Sequence, residues 1–138
     1  ISPLLTSKKH THALVLGTGG ASHAVMAGLA QLGIVGTLVS RSPRPGVITY
    51  ADLDEGVMAS HTVIVNTTPL GMYPHVDASP DIPYRLVTEN HVCFDLIYNP
   101  DVTLFMQRCA AQDATVKNGL EMLLLQAFAA WEMWHRSN

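Results

Sequence analysis

The distribution of apolar and polar positions predicts strands and helices that alternate along the chain. Short apolar runs bounded by turn-forming residues mark candidate strands at residues 12–16, 36–39, 47–50, 62–65, 91–96 and 115–117. Apolar residues at helical spacing mark candidate helices at residues 20–32, 51–60, 102–112 and 120–134, of which the second is weak.

The candidate strands at residues 62–65 and 91–96 are apolar throughout rather than alternating. Continuous apolar strands are typical of parallel sheets that helices cover on both faces. Alternating strands and helices with right-handed crossovers therefore predict the α/β class, as a doubly wound, mostly parallel, Rossmann-like sheet of about six strands with helices on both faces. We expect residues 1–138 to form this one domain.

Composition excludes several classes of partner. The chain has 138 residues, of which 48% are hydrophobic and 14% charged, with a formal net charge of −3 and a pI near 6.1. This balance suits one globular domain and does not favour nucleic acid as a partner. The most apolar window, residues 120–134, is interrupted by Glu121, Gln126 and Glu132 and is too short to span a bilayer. We therefore expect no membrane partner.

The cysteines indicate the cellular compartment of the protein, and the first residue indicates whether the sequence is a fragment. Cys93 lies in an apolar run and Cys109 in a helical pattern, with no CxxC pair and no signal-peptide pattern. Both are predicted to be buried thiols of a cytoplasmic protein. Because the sequence opens with Ile1 rather than Met, we expect it to be an excised fragment.

A glycine-rich turn, GTGGAS at residues 17–22, follows the first predicted strand. In a nucleotide-binding turn of this kind, Gly17 makes the sharp turn, Gly19 lets the main chain approach a ligand, and small Ser22 permits close helix packing. The N–H groups at the start of the helix, near Gly20 and Ala21, then face a pyrophosphate. The alternative is a bare tight turn, and the position after the first strand favours nucleotide binding.

The end of the second strand indicates which nucleotide. An NAD site uses an acidic residue there, whereas this chain has the segment Ser40-Arg41-Ser42 followed by Arg44. Arg41 is suited to bind a 2′-phosphate while Ser40 and Ser42 donate to it, so NADP is favoured. A solvated basic turn is the alternative for this segment. For His23 two alternatives remain: its side chain contacts the phosphates, or it is simply exposed to solvent.

Five segments together resemble the NADP-binding domain of shikimate 5-dehydrogenases. They are GTGGASHAV from residue 17, SRS at 40–42, VNTTPLGM at 65–72 and FDLIYNPDVTLFM at 94–106, with NGLEMLLLQAFAAWEMW at 118–134. The similarity runs in order through nearly the whole chain. In place of the family's Asn-Arg-Thr after the second strand, this chain has Ser40, Arg41 and Ser42.

The resemblance implies further site residues. The loop after the fourth strand would lie along the cofactor, which here gives Asn66, Thr67, Thr68, Pro69 and Met72. Gly119 and Met122 resemble residues that close over the nicotinamide, and Tyr98 and Gln126 resemble residues that contact the substrate.

The residues alone leave other interpretations of these positions. The loop would be an ordinary Pro/Gly turn, Tyr98 a packed strand-end aromatic, and Met122 a core residue. Positions 119, 122 and 126 share one helical face. Gln126 is an amide among apolar neighbours, so if it is buried it needs polar partners, either from the protein or from a polyol ligand.

The implied reaction is the NADPH-dependent reduction of 3-dehydroshikimate to shikimate in aromatic amino acid (chorismate) biosynthesis. It needs a hydride from the cofactor and a proton from a general acid. We predict no catalytic residue in this chain. The resemblance implies that the catalytic Lys and Asp belong to the family's amino-terminal half. Lys8 and Lys9 precede the first strand, whereas a ligand binds at its carboxyl end. Asp95 is predicted to be structural, and a loop histidine such as His75 is usually exposed. The chain alone is therefore expected to bind cofactor without turnover.

Other chemistries lack their motifs. Beyond His10-Thr11-His12, which has no carboxylate nearby, the seven histidines show no HxxxH or HxH spacing, so no metal is predicted. There is no GxSxG sequence and no P-loop Lys after the glycine turn. The remaining alternatives are a stand-alone NADP-binding or sensing module, a quinate/shikimate dehydrogenase and, more weakly, a methyltransferase. Oligomeric state has no signal in the sequence.

Overall fold

The computed structural model describes residues 10–97 and 100–118, which form one parallel sheet with helices packed against it. Its strands are β1 (His12–Leu16), β2 (Val35–Ser40), β3 (Val47–Thr49), β4 (Val63–Asn66), β5 (Val92–Asp95) and β6 (Thr115–Asn118). Its α-helices are α1 (Gly20–Gln31), α2 (Glu55–Ser60) and α3 (Leu104–Ala110), with 3₁₀ turns at Tyr50–Asp52 and Tyr84–Leu86.

The strand order across the sheet is β3-β2-β1-β4-β5-β6, and every pair of neighbouring strands is parallel. The chain leaves β1 toward one edge of the sheet and returns beside it with β4. In a sheet of this topology, ligands bind outside the carboxyl ends of the strands where the direction of winding changes. That point lies here between the ends of β1 and β4.

Alternate residues of β1 enter two separate cores, one on each face of the sheet. Ala13 and Val15 pack with Val25 and Leu29 of α1. Leu14 and Leu16 pack in the other core, to which α2 contributes Met58 and α3 contributes Phe105, Met106 and Cys109. Burial on both faces is why the strands are apolar throughout, and the predicted doubly wound architecture is confirmed.

Helix capping explains where the observed elements differ from the predicted ones. The predicted helix at residues 51–60 is two elements, because Asp52 caps a 3₁₀ turn with Thr49 and Asp54 then caps α2 by accepting the Val57 N–H at 2.9 Å. The helix predicted at 102–112 begins only at Leu104, after its cap Thr103. The helix predicted at 120–134 lies outside the described residues.

Asp95 was predicted to lie inside β5, but it is the last residue of that strand.

Both cysteines are buried free thiols, as predicted. A side-chain hydrogen bond with Cys109 that favours the neutral thiol is the main cause that raises the pKa of Cys93 well above its usual range, and burial adds to it. In the part of the chain described here, none of the helices is long and apolar enough to cross a membrane.

Candidate functional site

A cleft of about 690 Å³ opens at the carboxyl ends of β1, β2 and β4. Four segments line it: the glycine turn after β1, the end of β2 with the basic segment that follows, the loop after β4, and a rim at residues 79–81. Its lining includes Gly17, Gly19, Ser40, Arg41, Ser42, Arg44, Tyr50, Thr67, Thr68, Pro69, Ser79 and Asp81.

Glycine is found at positions 17, 19 and 20 of the turn for different physical reasons. Gly17 has φ +109°, and a Cβ there would lie 2.6 Å from Thr67 Oγ1. The protein's own backbone therefore requires glycine at this position. A Cβ at Gly19 or Gly20 would meet no atom within 4 Å, so the protein itself does not exclude a side chain there. What these two glycines preserve is free access to the main chain.

The start of α1 is bonded internally through Ser22, whose N–H donates to the Gly19 carbonyl at 3.1 Å. Ser22 is fully buried, and its hydroxyl donates to the Gly19 carbonyl at 2.5 Å. The cap residue Gly19 has extended backbone, and no side chain caps the helix. Because the first N–H groups of a helix have no intrahelical partner, this terminus is suited to an anion.

The segment after β2 supplies positive charge to the same cleft. Arg41, Ser42 and Arg44 are exposed and line it. Ser40 is buried, and its Oγ accepts the Ser42 N–H at 3.2 Å, so this hydroxyl shapes the turn that presents Arg41. Burial raises the pKa of Tyr50, which lies beside them, and the charge of Arg41 lowers it. Asp81 raises the pKa of Tyr50 further.

The loop after β4 is fastened to β1 and to Asn66, the last residue of β4. The Thr67 hydroxyl donates to the Leu16 carbonyl at 2.6 Å, and the Thr67 N–H donates to the same oxygen at 2.9 Å. Asn66 Oδ1 accepts the Thr68 N–H at 3.0 Å and the Thr68 hydroxyl at 2.6 Å. These bonds hold Thr67 and Thr68 against the glycine turn.

A fully buried carboxylate, Asp95, supports that loop from below. Its Oδ1 accepts the Asn66 side-chain amide at 3.3 Å and the Ile97 N–H at 3.1 Å, and its Oδ2 accepts the Thr103 hydroxyl at 2.6 Å. Burial raises the pKa of Asp95, while the bonds from Thr103, Ile97 and Asn66 lower it. The prediction of a structural role agrees with this geometry, although most partners are side chains rather than backbone.

The opposite rim of the cleft, residues 79–81, is held by two side chains. The Tyr84 hydroxyl donates to the Pro80 carbonyl at 2.7 Å, and Arg108 Nη1 donates to Ser79 Oγ at 3.1 Å. The Arg108 guanidinium also lies 4.4 Å from the centre of the Tyr84 ring. Burial raises the pKa of Tyr84 to about 12, so its hydroxyl keeps the donated proton at neutral pH.

The structure brings together most of the predicted cofactor residues that it describes. Gly17, Gly19, Ser40, Arg41, Ser42, Thr67, Thr68 and Pro69 line the cleft. The other predicted residues near it are not among the lining: Gly20 and Ala21 are exposed at the start of α1, Ser22 is buried, Asn66 is buried beneath the loop, and Met72 is exposed. His23 and His75 are exposed. Predicted residues outside the described part are Tyr98, Gly119, Met122 and Gln126.

Three further residues, Tyr50, Ser79 and Asp81, line the cleft and were not predicted from the sequence. Tyr50 follows the short third strand, and Ser79 and Asp81 lie between β4 and β5 in a segment for which no site residue was predicted. Across residues 10–97 and 100–118, no group of three or more His, Cys, Asp or Glu side chains could hold a metal ion.

Comparison with known proteins gives one consistent relationship. No protein-family model matches the sequence. The shikimate dehydrogenase (NADP(+)) of Crocosphaera subtropica is 38% identical over 88% of this chain and 49% of its own length. The crystal structure of a chorismate mutase/shikimate 5-dehydrogenase fusion protein from Clostridium acetobutylicum is 34% identical, with a TM-score of 0.69 over 92% of this chain and 48% of that one.

A third comparison includes ligands. The shikimate 5-dehydrogenase of Thermus thermophilus, solved in complex with NADP(H) and shikimate, is 30% identical with a TM-score of 0.66, covering 88% of this chain and 48% of that one. The chain spans about half the length of the curated relatives it matches. The chain is thus similar in sequence to about half of each of these shikimate dehydrogenases, and its described residues share the fold of the solved ones.

Proposed function

We propose that this chain is the NADP-binding domain of a shikimate dehydrogenase. The observation that carries the proposal is the juxtaposition of an unobstructed glycine turn, at Gly19 and Gly20, with the guanidinium groups of Arg41 and Arg44 in one cleft. The first feature suits a diphosphate and the second suits an additional phosphate on the ribose.

The cleft fits a dinucleotide in size and in the type of its donors. Its volume of about 690 Å³ is within the range of roughly 300–1,000 Å³ that small-molecule sites occupy. Main-chain N–H groups at the start of α1 would hold the diphosphate, and Arg41, Arg44 and Ser42 would hold the 2′-phosphate. Thr67, Thr68 and Pro69 would lie along the nucleotide between these ends.

In the proposed reaction, NADPH supplies a hydride for the reduction of 3-dehydroshikimate to shikimate. The described residues of this chain are proposed to bind and orient the dinucleotide. The general acid is expected from the half of the enzyme that this chain does not match. Gly119 and Met122 are proposed beside the nicotinamide, and Tyr98 and Gln126 beside the substrate. Whether quinate is an additional substrate is decided by an assay with each of the two compounds.

A place in aromatic amino acid biosynthesis and a cytoplasmic location are further parts of this proposal. The two free cysteines suit a reducing compartment.

The test of cofactor binding is a fluorescence titration of the full-length protein that carries this chain with NADPH and, separately, with NADH. We expect NADPH to bind more tightly, and Arg41→Gln to weaken NADPH by at least tenfold while changing NADH by less than twofold. Arg85→Gln is the matched control, because Arg85 is exposed and does not line the cleft. Absence of NADPH binding, or tighter binding of NADH, would overturn the proposal.

The test of the reaction is a steady-state assay of the same protein with NADP(+) and shikimate or quinate. Gln126→Ala is expected to raise the Michaelis constant for shikimate, because the amide is proposed to bond a ring hydroxyl. An unchanged Michaelis constant would remove Gln126 from the substrate site.

A further inference from the structure

A carboxylate, Asp81, lies in the same cleft as the two arginines proposed to recognise the 2′-phosphate. The charged residues among its described lining are Arg41, Arg44 and Asp81. Phosphate recognition explains both arginines. An acidic side chain at such a site opposes an anionic ligand, so its presence needs a separate explanation.

Asp81 occupies a fixed position rather than the tip of a loose loop. Its neighbour Pro80 is buried and accepts the Tyr84 hydroxyl at 2.7 Å, and the next residue, Ile82, is 3% exposed in the core. Ser79 is bonded to Arg108 at 3.1 Å. Residues on both sides of Asp81 are therefore anchored to the body of the protein, and the carboxylate is held on the rim.

Tyr50 lies close enough to both Arg41 and Asp81 to be affected by the charge of each. It lines the cleft together with Arg41 and Asp81. The pKa of its hydroxyl, which burial raises, is lowered by the charge of Arg41 and raised by that of Asp81. Both charges thus act on one point between β2 and the rim, where the 2′-phosphate end of the dinucleotide is proposed to bind.

We infer that Asp81 is a specificity-determining residue, whose negative charge limits the preference of the cleft for a phosphorylated over an unphosphorylated dinucleotide. This inference rests on the proposed function. The carboxylate offsets part of the positive charge of Arg41 and Arg44, and it repels the nearly dianionic 2′-phosphate of NADPH. NADH has no charge at that position, so Asp81 affects its binding little.

The expected size of the effect follows from Coulomb's law. In water-like surroundings, one pair of unit charges about 8 Å apart changes an affinity by about twofold, and a dianion by about fivefold. Ionic screening reduces the effect because the cleft is open to solvent. Removal of the charge should therefore strengthen NADPH binding by about two- to fivefold.

The experiment compares Asp81→Asn with the wild type in the full-length protein that carries this chain. Kd values for NADPH and NADH are measured at low and high salt. We expect Asp81→Asn to lower the Kd for NADPH by two- to fivefold at low salt, to leave that for NADH unchanged, and to lose most of its effect at high salt. Asp81→Ser, which removes the same charge with a smaller side chain, should give the same shift.

Asp77→Asn is the matched control, because Asp77 is exposed on the same loop but does not line the cleft. Unchanged Kd values for both nucleotides in both Asp81 variants would overturn the inference while leaving the proposed function intact. Equal shifts for NADPH and NADH would also overturn it, since Asp81 would then act on a part common to both nucleotides. If the wild type binds neither nucleotide, the proposed function fails, and the inference fails with it.

Discussion

Thr103 joins the end of the sheet to the start of a helix through one hydroxyl group. It donates to Asp95 Oδ2 at 2.6 Å and accepts the Met106 N–H at 3.2 Å, so it both satisfies a buried carboxylate and caps α3. A Cβ on Gly71 would lie 3.6 Å from the Thr103 Cβ, which places the loop after β4 directly against this junction. The cofactor loop thus rests on a buried polar network.

Thr103→Val should destabilise the fold, because it removes the helix cap and leaves a lone pair of Asp95 without its donor. We expect a loss of about 1–3 kcal/mol in the free energy of unfolding, measured with denaturant at pH 7. Thr115→Val is the control, because Thr115 is exposed on β6 and the same replacement should change the free energy by less than about 0.5 kcal/mol. Equal effects at both positions would contradict the role of Thr103.

Stability should depend on pH in opposite directions through two aspartates. Burial raises the folded-state pKa of Asp95 above its unfolded value of about 3.9. Its contribution to stability is therefore full below that pH and is lost as the pH rises through the folded-state pKa. In Asp95→Asn this decrease disappears, so the stability difference between wild type and variant should fall as the pH rises from about 4.

Asp52 provides the opposite case. Hydrogen bonds from the Thr49 N–H and hydroxyl lower its pKa, so its contribution is present above the unfolded pKa and is lost as the pH falls. Asp52→Asn should therefore remove stability at neutral pH and little at acidic pH. Free energies of unfolding measured across this pH range check both signs, and parallel slopes for the two variants would refute the assignment.

Gly17→Ala should be costly even without any ligand. The positive φ and the close Thr67 hydroxyl both oppose a side chain there, and we expect a loss of at least about 2 kcal/mol in unfolding free energy. Gly36→Ala is the matched comparison, because the atoms nearest to its added Cβ belong to the flexible end of Met26. It should cost less, and a larger loss for Gly36→Ala would show that this steric argument is wrong.

Gly19→Ala should separate binding from stability. Its added Cβ meets no protein atom within 4 Å and its backbone is extended, so the unfolding free energy should change by less than about 1 kcal/mol, the loss expected for alanine at a helix cap. The same methyl group would obstruct a diphosphate that approaches the main chain, so NADPH should bind roughly tenfold more weakly. Thermal unfolding and titration of one protein sample measure both quantities. Unchanged affinity would show that no ligand approaches Gly19 closely.

The sequence by itself determined the features that depend on neighbouring residues. The apolar runs predicted the strands and the parallel sheet, and the turn from Gly17 to Ser22 and the segment from Ser40 to Ser42 were predicted as cofactor sites because each lies directly after a strand. Such motifs keep their chemistry within a few residues, and a parallel sheet brings the ends of its strands to one edge.

Only the tertiary structure decided which distant residues meet. Gly17 and Thr67 are adjacent because β1 and β4 pair, and Asp95 bonds Asn66 because these residues are register partners in β4 and β5. Asp81 reaches the cleft of Arg41 because its loop is anchored by residues that follow it in the chain. Local patterns carry no information on such pairings, because the distances involved are set by sheet register and loop packing rather than by spacing along the chain.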